Sequence, residues 1–225
     1  MSENLLVLFP YIDIHTHRIC ADDDVIAVYS LRLGKECADG VPHPFWAGVH
    51  PWDCDTVERD AVLQLHRMDI DGVGEIGLDR TRGDIALQRL FFDEQLAVAA
   101  ERDLPVALHA VRTSEEIIAA VRKSGVDRSR VMVHGFVGGK ELAQRYLGEG
   151  YILSVGGRTL ASEKGREAVA GLPEGRFLTE TDGEGHIRDI YGRVADVRGC
   201  SVEELRGLMY DTYRRLFGRL SNNRI

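Results

Sequence analysis

The 225 residues contain no apolar run of roughly 18, which excludes a membrane-spanning helix and with it a membrane partner. Positive charge is not in excess. Against 28 Lys+Arg stand 36 Asp+Glu, a formal net charge of −8, and a protein that coats duplex nucleic acid through a broad basic face is excluded. An acidic total still leaves room for one phosphate held in a deep pocket. Cysteine is sparse, and Cys20, Cys37, Cys54 and Cys200 form no CxxC pair. That excludes a disulfide framework or zinc knuckle, and the four read as reduced cytosolic thiols. No Gly-rich loop ends in Gly-Lys-Ser/Thr, and no GxSxG elbow occurs, so a P-loop nucleotide site and a serine-hydrolase nucleophile are both excluded. The opening stretch MSENLLVLFPYIDIH lacks a basic n-region and a small-residue cleavage site, so no secretory leader and a cytoplasmic location are expected. No repeat, low-complexity tract or linker divides the chain, and residues 1–225 are expected to form one domain.

What is present is ordinary in bulk, with 44% hydrophobic and 28% charged residues. The order along the chain is more telling. Short apolar, β-branched runs recur at 11–15, 24–31, 45–50, 72–77, 105–109, 130–134, 151–155 and 176–182. Continuous runs of this length suit strands buried on both faces of a parallel sheet. Helical patterns separate them from residue 56 onward. Residues 84–102 space Ile85, Leu90, Phe92, Leu96 and Ala99 for one helix face, a helical stretch covers 57–69, and an extra helix is expected around 187–199. Thr113 with Glu116, and Ser201 with Glu204, have the form of capping boxes. Eight strands alternating with helices predict an α/β fold, a TIM-type (β/α)8 barrel. Its first quarter is shortened, because residues 32–44 carry Gly34, Gly40, Pro42 and Pro44 and neither early gap holds a full helix.

Most of these runs end on a polar residue. His15 and His17 lie two apart, so on a strand they project to one face and can present two imidazoles to one metal ion. Taken alone, the pair is a weak signal, and two hydrogen-bonded histidines near a strand end are the commoner reading. Glu75 in GVGEIG, His109 in PVALH, His134 in RVMVH and Asp182 in FLTETD change the balance. In a parallel barrel all strand C-termini open on one face, and no folding need explains titratable groups on so many of them. Six ligands exceed one tetrahedral ion and suit two, with Glu75 as a natural bridge. Gly72, Gly74 and Gly77 spell GxGxxG, but Leu78 to Gly83 is a poor helix start, and the dinucleotide reading is discarded. His66 reads as a surface or packing residue, and His43 carries no specific signal. His186 and Glu184 read as solvated loop residues. Arg80, Arg82, Arg112 and Arg158 follow strand ends, where each is a candidate phosphate contact or a plain ion-paired arginine.

Together these pieces resemble the TatD family of metal-dependent hydrolases. The matching segments are DIHTH (13–17), GVHPWD (48–53), GEIGLD (74–79), QRLFFDEQLAVA (88–99), PVALH (105–109), HGFVGG (134–139) and ETD (180–182), which cover most of the chain in the family's order. The resemblance implies a TIM-type barrel with a two-metal site and hydrolytic, often deoxyribonuclease, activity. It implies His15, His17, Glu75 and Asp182 around one metal, Glu75, His109 and His134 around the other, and His50 contacting substrate near the scissile phosphate. Three departures lie in loops that shape specificity and spare the six ligands. The segment after ETD reads GEGH (183–186) in place of a proline-containing one, Arg112 stands one residue later than usual after PVALH, and the loops after the first strand are short.

The function expected is metal-dependent hydrolysis of a phosphodiester, with single-stranded DNA as substrate and Asp182, Glu75 and His50 in the catalytic work. Two divalent ions less two ligand carboxylates leave about +2 in a recessed pocket, so an acidic protein can still attract one anionic group. The imidazole-rich set suits zinc, manganese or cobalt at least as well as magnesium. The same centre would also serve a phosphate monoester, or an ester or amide such as an aminoacyl ester on RNA. A non-catalytic metal-binding scaffold is the remaining reading, and a full ligand set argues against it.

Overall fold

In a computed structural model that describes residues 9–218, eight parallel strands pair in chain order around a barrel. Residues 1–8 of the opening stretch read above, and the last seven residues of the expected domain, lie outside that range. The strands are β1 (Tyr11–Thr16), β2 (Val25–Arg32), β3 (Phe45–Gly48), β4 (Gly72–Asp79), β5 (Val106–Val111), β6 (Val131–Val133), β7 (Ile152–Val155) and β8 (Phe177–Thr179). Helices α1 (Ala61–Gln64), α2 (Ile85–Glu101), α3 (Ser114–Ser124), α4 (Lys140–Gly148), α5 (Gly157–Ala161), α6 (Glu163–Ala170), α7 (Ile187–Arg198) and α8 (Val202–Phe217) lie between and after them. The fold is the TIM-type barrel expected, and its first quarter is short: β1 joins β2, and β2 joins β3, without a helix. The stretch read as helical over 57–69 forms only the single turn of α1, preceded by a 3-10 turn at Pro51–Asp53.

Ladder hydrogen bonds run from β1 through β8, and the remaining seam between β8 and β1 is closed mainly by side chains. The Thr179 hydroxyl donates to the Ile12 carbonyl at 2.8 Å. Asp13, buried beneath the seam, accepts from the Thr181 N–H at 2.8 Å and the Thr181 hydroxyl at 2.7 Å. Burial pushes the Asp13 carboxyl up to about 7. The Asp182 N–H completes the seam by donating to the His15 carbonyl at 3.0 Å. The last strand thus ends at Thr179, three residues earlier than the run at 176–182 suggests, because its polar continuation bonds across the seam to Asp13 and His15.

The glycines of the GxGxxG pattern are a packing feature of β4. A Cβ at Gly72 would lie 2.2 Å from the Trp46 ring, and one at Gly74 would lie 2.6 Å from the Ala107 side chain. At Gly77 a Cβ would meet the His109 carbonyl at 2.0 Å, on a backbone with φ of +146°. Trp46 itself is fully buried, with its ring 4.9 Å from that of Phe217 on α8. An aromatic side chain buried this way contributes roughly 1.5–3 kcal/mol.

Helix α2 does more than cover the barrel. Phe91, Phe92, Leu96, Val98 and Ala99 are buried as an apolar face demands, whereas Leu90 is half exposed. Gln88 and Gln95, two helical turns apart on that buried face, hold the backbone of neighbouring strands. Gln95 accepts from the Val49 N–H at 2.7 Å and donates to the Val49 carbonyl at 3.2 Å. Gln88 does the same for Asp79, at 2.7 and 3.2 Å. Each amide replaces the strand neighbour that a strand end has lost. The Ser201–Glu204 capping box forms at the start of α8. The Thr113–Glu116 box does not: Thr113 makes no cap bond, and its hydroxyl donates to the Leu78 carbonyl at 3.0 Å, tying α3 to β4.

Candidate metal centre

At the C-terminal end of the barrel, five imidazoles gather around one carboxylate. Glu75, buried at mid-strand in β4, faces His15 at the end of β1 and His17 one residue beyond it. His109 comes from β5, His134 from the residue after β6, and His50 from the turn after β3. Glu75 Oε1 lies 2.5 Å from His109 Nδ1, 2.8 Å from His134 Nε2 and 3.1 Å from His50 Nε2. Glu75 Oε2 lies 3.2 Å from His15 Nε2 and 3.7 Å from His17 Nε2. Asp182 Oδ1 is 3.9 Å from His15 and 3.7 Å from His17 across the mouth. All six residues read as ligands, together with His50, therefore stand in one cluster.

Charge is unevenly divided within it. Burial pushes the Glu75 carboxyl up, but His134 and the hydrogen bonds from the surrounding imidazoles outweigh it and hold Glu75 well below the usual range. His134 is likewise pushed down by burial, and Glu75 with Glu180 raises it well above an ordinary histidine. Burial, helped by nearby positive charge, lowers His15 and His50, while the hydrogen bond to Glu75 raises the partly exposed His17. Most informative is His15, wholly buried: its Nδ1 has no partner, and its Nε2 faces only Glu75 Oε2, at 3.2 Å and poorly aligned for a hydrogen bond. A buried polar group left without a partner costs about 1–3 kcal/mol. A cation beside it would satisfy it.

The donor set fits metal. Three overlapping groups each bring their ligand atoms within 4.8 Å of one another: His15, His17 and Asp182; His15, Glu75 and His134; and His50, Glu75 and His109. Imidazole and carboxylate are the ligands of zinc, manganese and related divalent ions. Glu75 and His15 each belong to two of the groups, so the cluster can divide between two ions. His50 falls among the ligand-capable residues here, whereas the resemblance implied a substrate contact for it. The 3-10 turn explains its position: His50 caps it, and its Nδ1 accepts from the Trp52 N–H at 3.1 Å, which leaves Nε2 free to face Glu75.

Several supporting residues were not singled out by sequence. Glu180, buried, lies 3.4 Å from His134 Nδ1 and accepts from the Ser154 hydroxyl. Asp79, buried, lies 3.2 Å from His109 Nε2 and accepts from Trp52 Nε1 at 2.7 Å. Burial opposes its ionisation, but bonds from Thr81, Trp52 and His109 hold Asp79 down to about 2. Such carboxylates orient the imidazoles in front of them. Both lie inside quoted segments, ETD and GEIGLD, and their signal was an acid two or four residues from a ligand candidate. Arg32 is held on Asp53 by paired bonds of 2.9 and 2.7 Å and lines the mouth with Glu36.

The arginines named by sequence divide. Arg158 reaches Asp182 at 3.2 Å and lines the same cavity of about 290 Å³. Arg80 pairs instead with Glu116 on α3, Arg82 lies over the Trp52 ring, and Arg112 is exposed. His186 precedes α7 and faces a second cavity, between Arg18 and Arg188. His66, in the turn after α1, lies near Glu101 at the end of α2, and His43 bonds Asp71 at the opposite end of the barrel. Neither belongs to the cluster.

A sequence profile described as TatD related DNase matches residues 27–218. Over 145 residues the chain is 34% identical to a protein of Escherichia coli K12 named uncharacterized metal-dependent hydrolase YjjV, a stretch that covers 60% of this chain and 56% of that protein. A Haemophilus influenzae metal-dependent hydrolase is also matched over 56% of its length, so the chain spans little more than half of these two relatives. It is 32% identical over 200 residues to a Pantoea ananatis protein named 3′-5′ ssDNA/RNA exonuclease TatD, and covers 76% of each. Among solved structures, the E. coli K12 TatD homologue YjjV superposes with a TM-score of 0.78 at 24% identity, over 92% of this chain and 98% of that one. A TatD family hydrolase from Entamoeba histolytica superposes at 0.73 and 14% identity, over 93% and 98%. These two likenesses are of fold. Among the described residues no helix is long and apolar enough to cross a membrane.

Proposed function

The chain belongs to the TatD family, and from that premise we propose that it is a hydrolase whose two-metal centre cleaves phosphodiester bonds of single-stranded DNA. The observation that carries the reading is the buried imidazole of His15, which makes no well-aligned hydrogen bond and stands among four further imidazoles and two carboxylates at the C-terminal end of the barrel. A centre this rich in ligands exceeds what a structural ion needs. His15, His17, Glu75 and Asp182 would hold one ion and Glu75, His109 and His134 the other. When bound, divalent ions supply Lewis-acid charge and make water acidic enough to attack at neutral pH.

The chain's own groups do the rest. Asp182, at the mouth and 18% exposed, is placed to accept the proton of the attacking water. Arg158, 3.2 Å from Asp182 Oδ2, holds that carboxylate in orientation and brings positive charge to the cavity. Glu180 and Asp79 fix the His134 and His109 rings, and His50 adds an imidazole on the side of the substrate. Relatives named for nuclease activity support phosphodiesters over other esters.

The test is cleavage of an end-labelled single-stranded oligonucleotide with added magnesium, manganese, zinc or cobalt. Products are expected with wild type, lost with chelator, and formed about 10²-fold or more slowly by Asp182→Asn, the scale of lost proton handling. No cleavage by protein carrying two equivalents of metal would refute the nuclease reading and direct attention to other esters and to the GEGH loop.

A further inference from the structure

Trp52 is out of place for a core residue. It is one of two tryptophans; Trp46 is fully buried, whereas Trp52 is 41% exposed and lines the cavity over the metal centre. Its ring stands edge-on to two ligand-capable imidazoles, with centroids 4.8 Å from His50 and 5.8 Å from His109. The indole is also fixed in orientation. Nε1 donates to Asp79 at 2.7 Å, and the N–H of the same residue is held by His50 Nδ1. Arg82 lies over the ring with its guanidinium carbon 4.3 Å from the centroid. Among the described residues no carboxylate is in ion-pair range of Arg82, in contrast to Arg80 and Arg158. A rigid, half-exposed aromatic face, already stacked by one planar cation and set beside the place where a phosphate would be cleaved, has the chemistry of a nucleobase platform.

We infer that Trp52 is a specificity-determining residue: the base of the nucleotide adjoining the scissile bond stacks on its indole, and Arg82 supplies positive charge for the next phosphate of the strand. The inference rests on the nucleic-acid reading above and narrows it. A base stacks on any such ring whatever its sequence, so the site selects a base-bearing strand without reading a sequence. The single-stranded preference follows from the same geometry, since only an unpaired base leaves its face free.

Two measurements test it, and one needs no turnover. Because Trp46 is buried, quenching of tryptophan fluorescence by a bound base reports on Trp52. Thymidine monophosphate is expected to quench saturably, and deoxyribose 5-phosphate, with the same charge and no base, is expected not to. In Trp52→Phe the quenching disappears. The second measurement compares oligonucleotides whose terminal nucleotide, at either end, is normal or abasic. Wild type should favour the normal end by about 10- to 100-fold in kcat/KM, the scale of one base–aromatic stack. Trp52→Ala should bring that ratio near one, whereas Trp52→Phe, which loses the same bond to Asp79 but keeps an aromatic face, should keep most of the preference.

Trp52→Ala slowing both substrates equally would overturn the inference, because it would mark Trp52 as a support for Asp79 and His109 alone. A wild-type ratio near one would overturn it as well. Cleavage of oligonucleotides without quenching by thymidine monophosphate sinks the stacking site and spares the nuclease. Quenching without cleavage of any oligonucleotide sinks the nuclease and supports stacking of a nucleotide on Trp52.

Discussion

Replacing Gln95 by Met removes one hydrogen-bond donor and one acceptor from a side chain that is wholly buried. The substitution keeps the length of the side chain, so no large cavity opens. What it strands is the backbone of Val49, itself buried, whose N–H and carbonyl are both held by that amide at 2.7 and 3.2 Å. A buried polar group without a partner costs about 1–3 kcal/mol, so two of them cost roughly 2–5 kcal/mol once the better apolar packing of the thioether is allowed for. For a chain of this size that is a fall of about 5–15 °C in melting temperature. Urea unfolding followed by far-ultraviolet circular dichroism measures it, with an unchanged denaturant slope as the sign that only stability moved. Leu90→Ala on the same helix, where the side chain is half exposed, is the control and should stay within about 0.5 kcal/mol. His50 follows Val49 directly, so the variant should also lose turnover at temperatures where it remains folded. A Gln95→Met protein that unfolds at the wild-type urea midpoint would refute the claim that α2 pins the strand end.

Glu75→Ala should remove at least one equivalent of bound metal and abolish hydrolysis, since Glu75 faces every imidazole of the cluster. Retention of two equivalents by atomic absorption with normal turnover would end its assignment as the bridge. His50→Ala should leave metal content intact and lower hydrolysis by roughly 10²-fold. Loss of one equivalent of metal instead would make His50 a ligand, as its 3.1 Å approach to Glu75 permits. Among the cysteines, Cys20 and Cys37 are exposed, and Cys54 is buried with its thiol pushed up to about 12 by burial and neighbouring aspartates. A thiol-reactive disulfide reagent should therefore label Cys20 and Cys37 in the native protein and reach Cys54 only on unfolding. Fast native labelling of Cys54, read by mass spectrometry, would contradict its burial.

The strands and the ligand candidates were legible because each is written locally. A strand buried on both faces must be apolar throughout, so a histidine or carboxylate ending such a run stands out, as at His15, His109 and His134. The spacing of His15 and His17 needs only the two-residue period of a strand. The shortened first quarter was equally local, since the glycines and prolines of residues 32–44 leave no room for a helix.

Other features depended on partners far away in the chain. Thr113 has the sequence of a cap, yet its hydroxyl serves Leu78, 35 residues earlier. Glu180 and Asp79 are ordinary acids until the barrel closes and places them behind His134 and His109. The end of β8 was set by Asp13, 168 residues away from Thr181, across a seam that no local pattern marks. Nor does the sequence tell an exposed tryptophan from a buried one: Trp46 and Trp52 lie six apart, one beneath the barrel wall and one over its mouth. By itself the sequence determined the order of elements, the parallel barrel and which imidazoles and carboxylates were candidates to meet at its mouth, because periodicity and residue chemistry act over a few neighbours. Only the tertiary structure decided which carboxylate faces which imidazole, how the barrel closes and which tryptophan is left half exposed at the mouth. Those depend on directions in space that the chain acquires when distant segments pack.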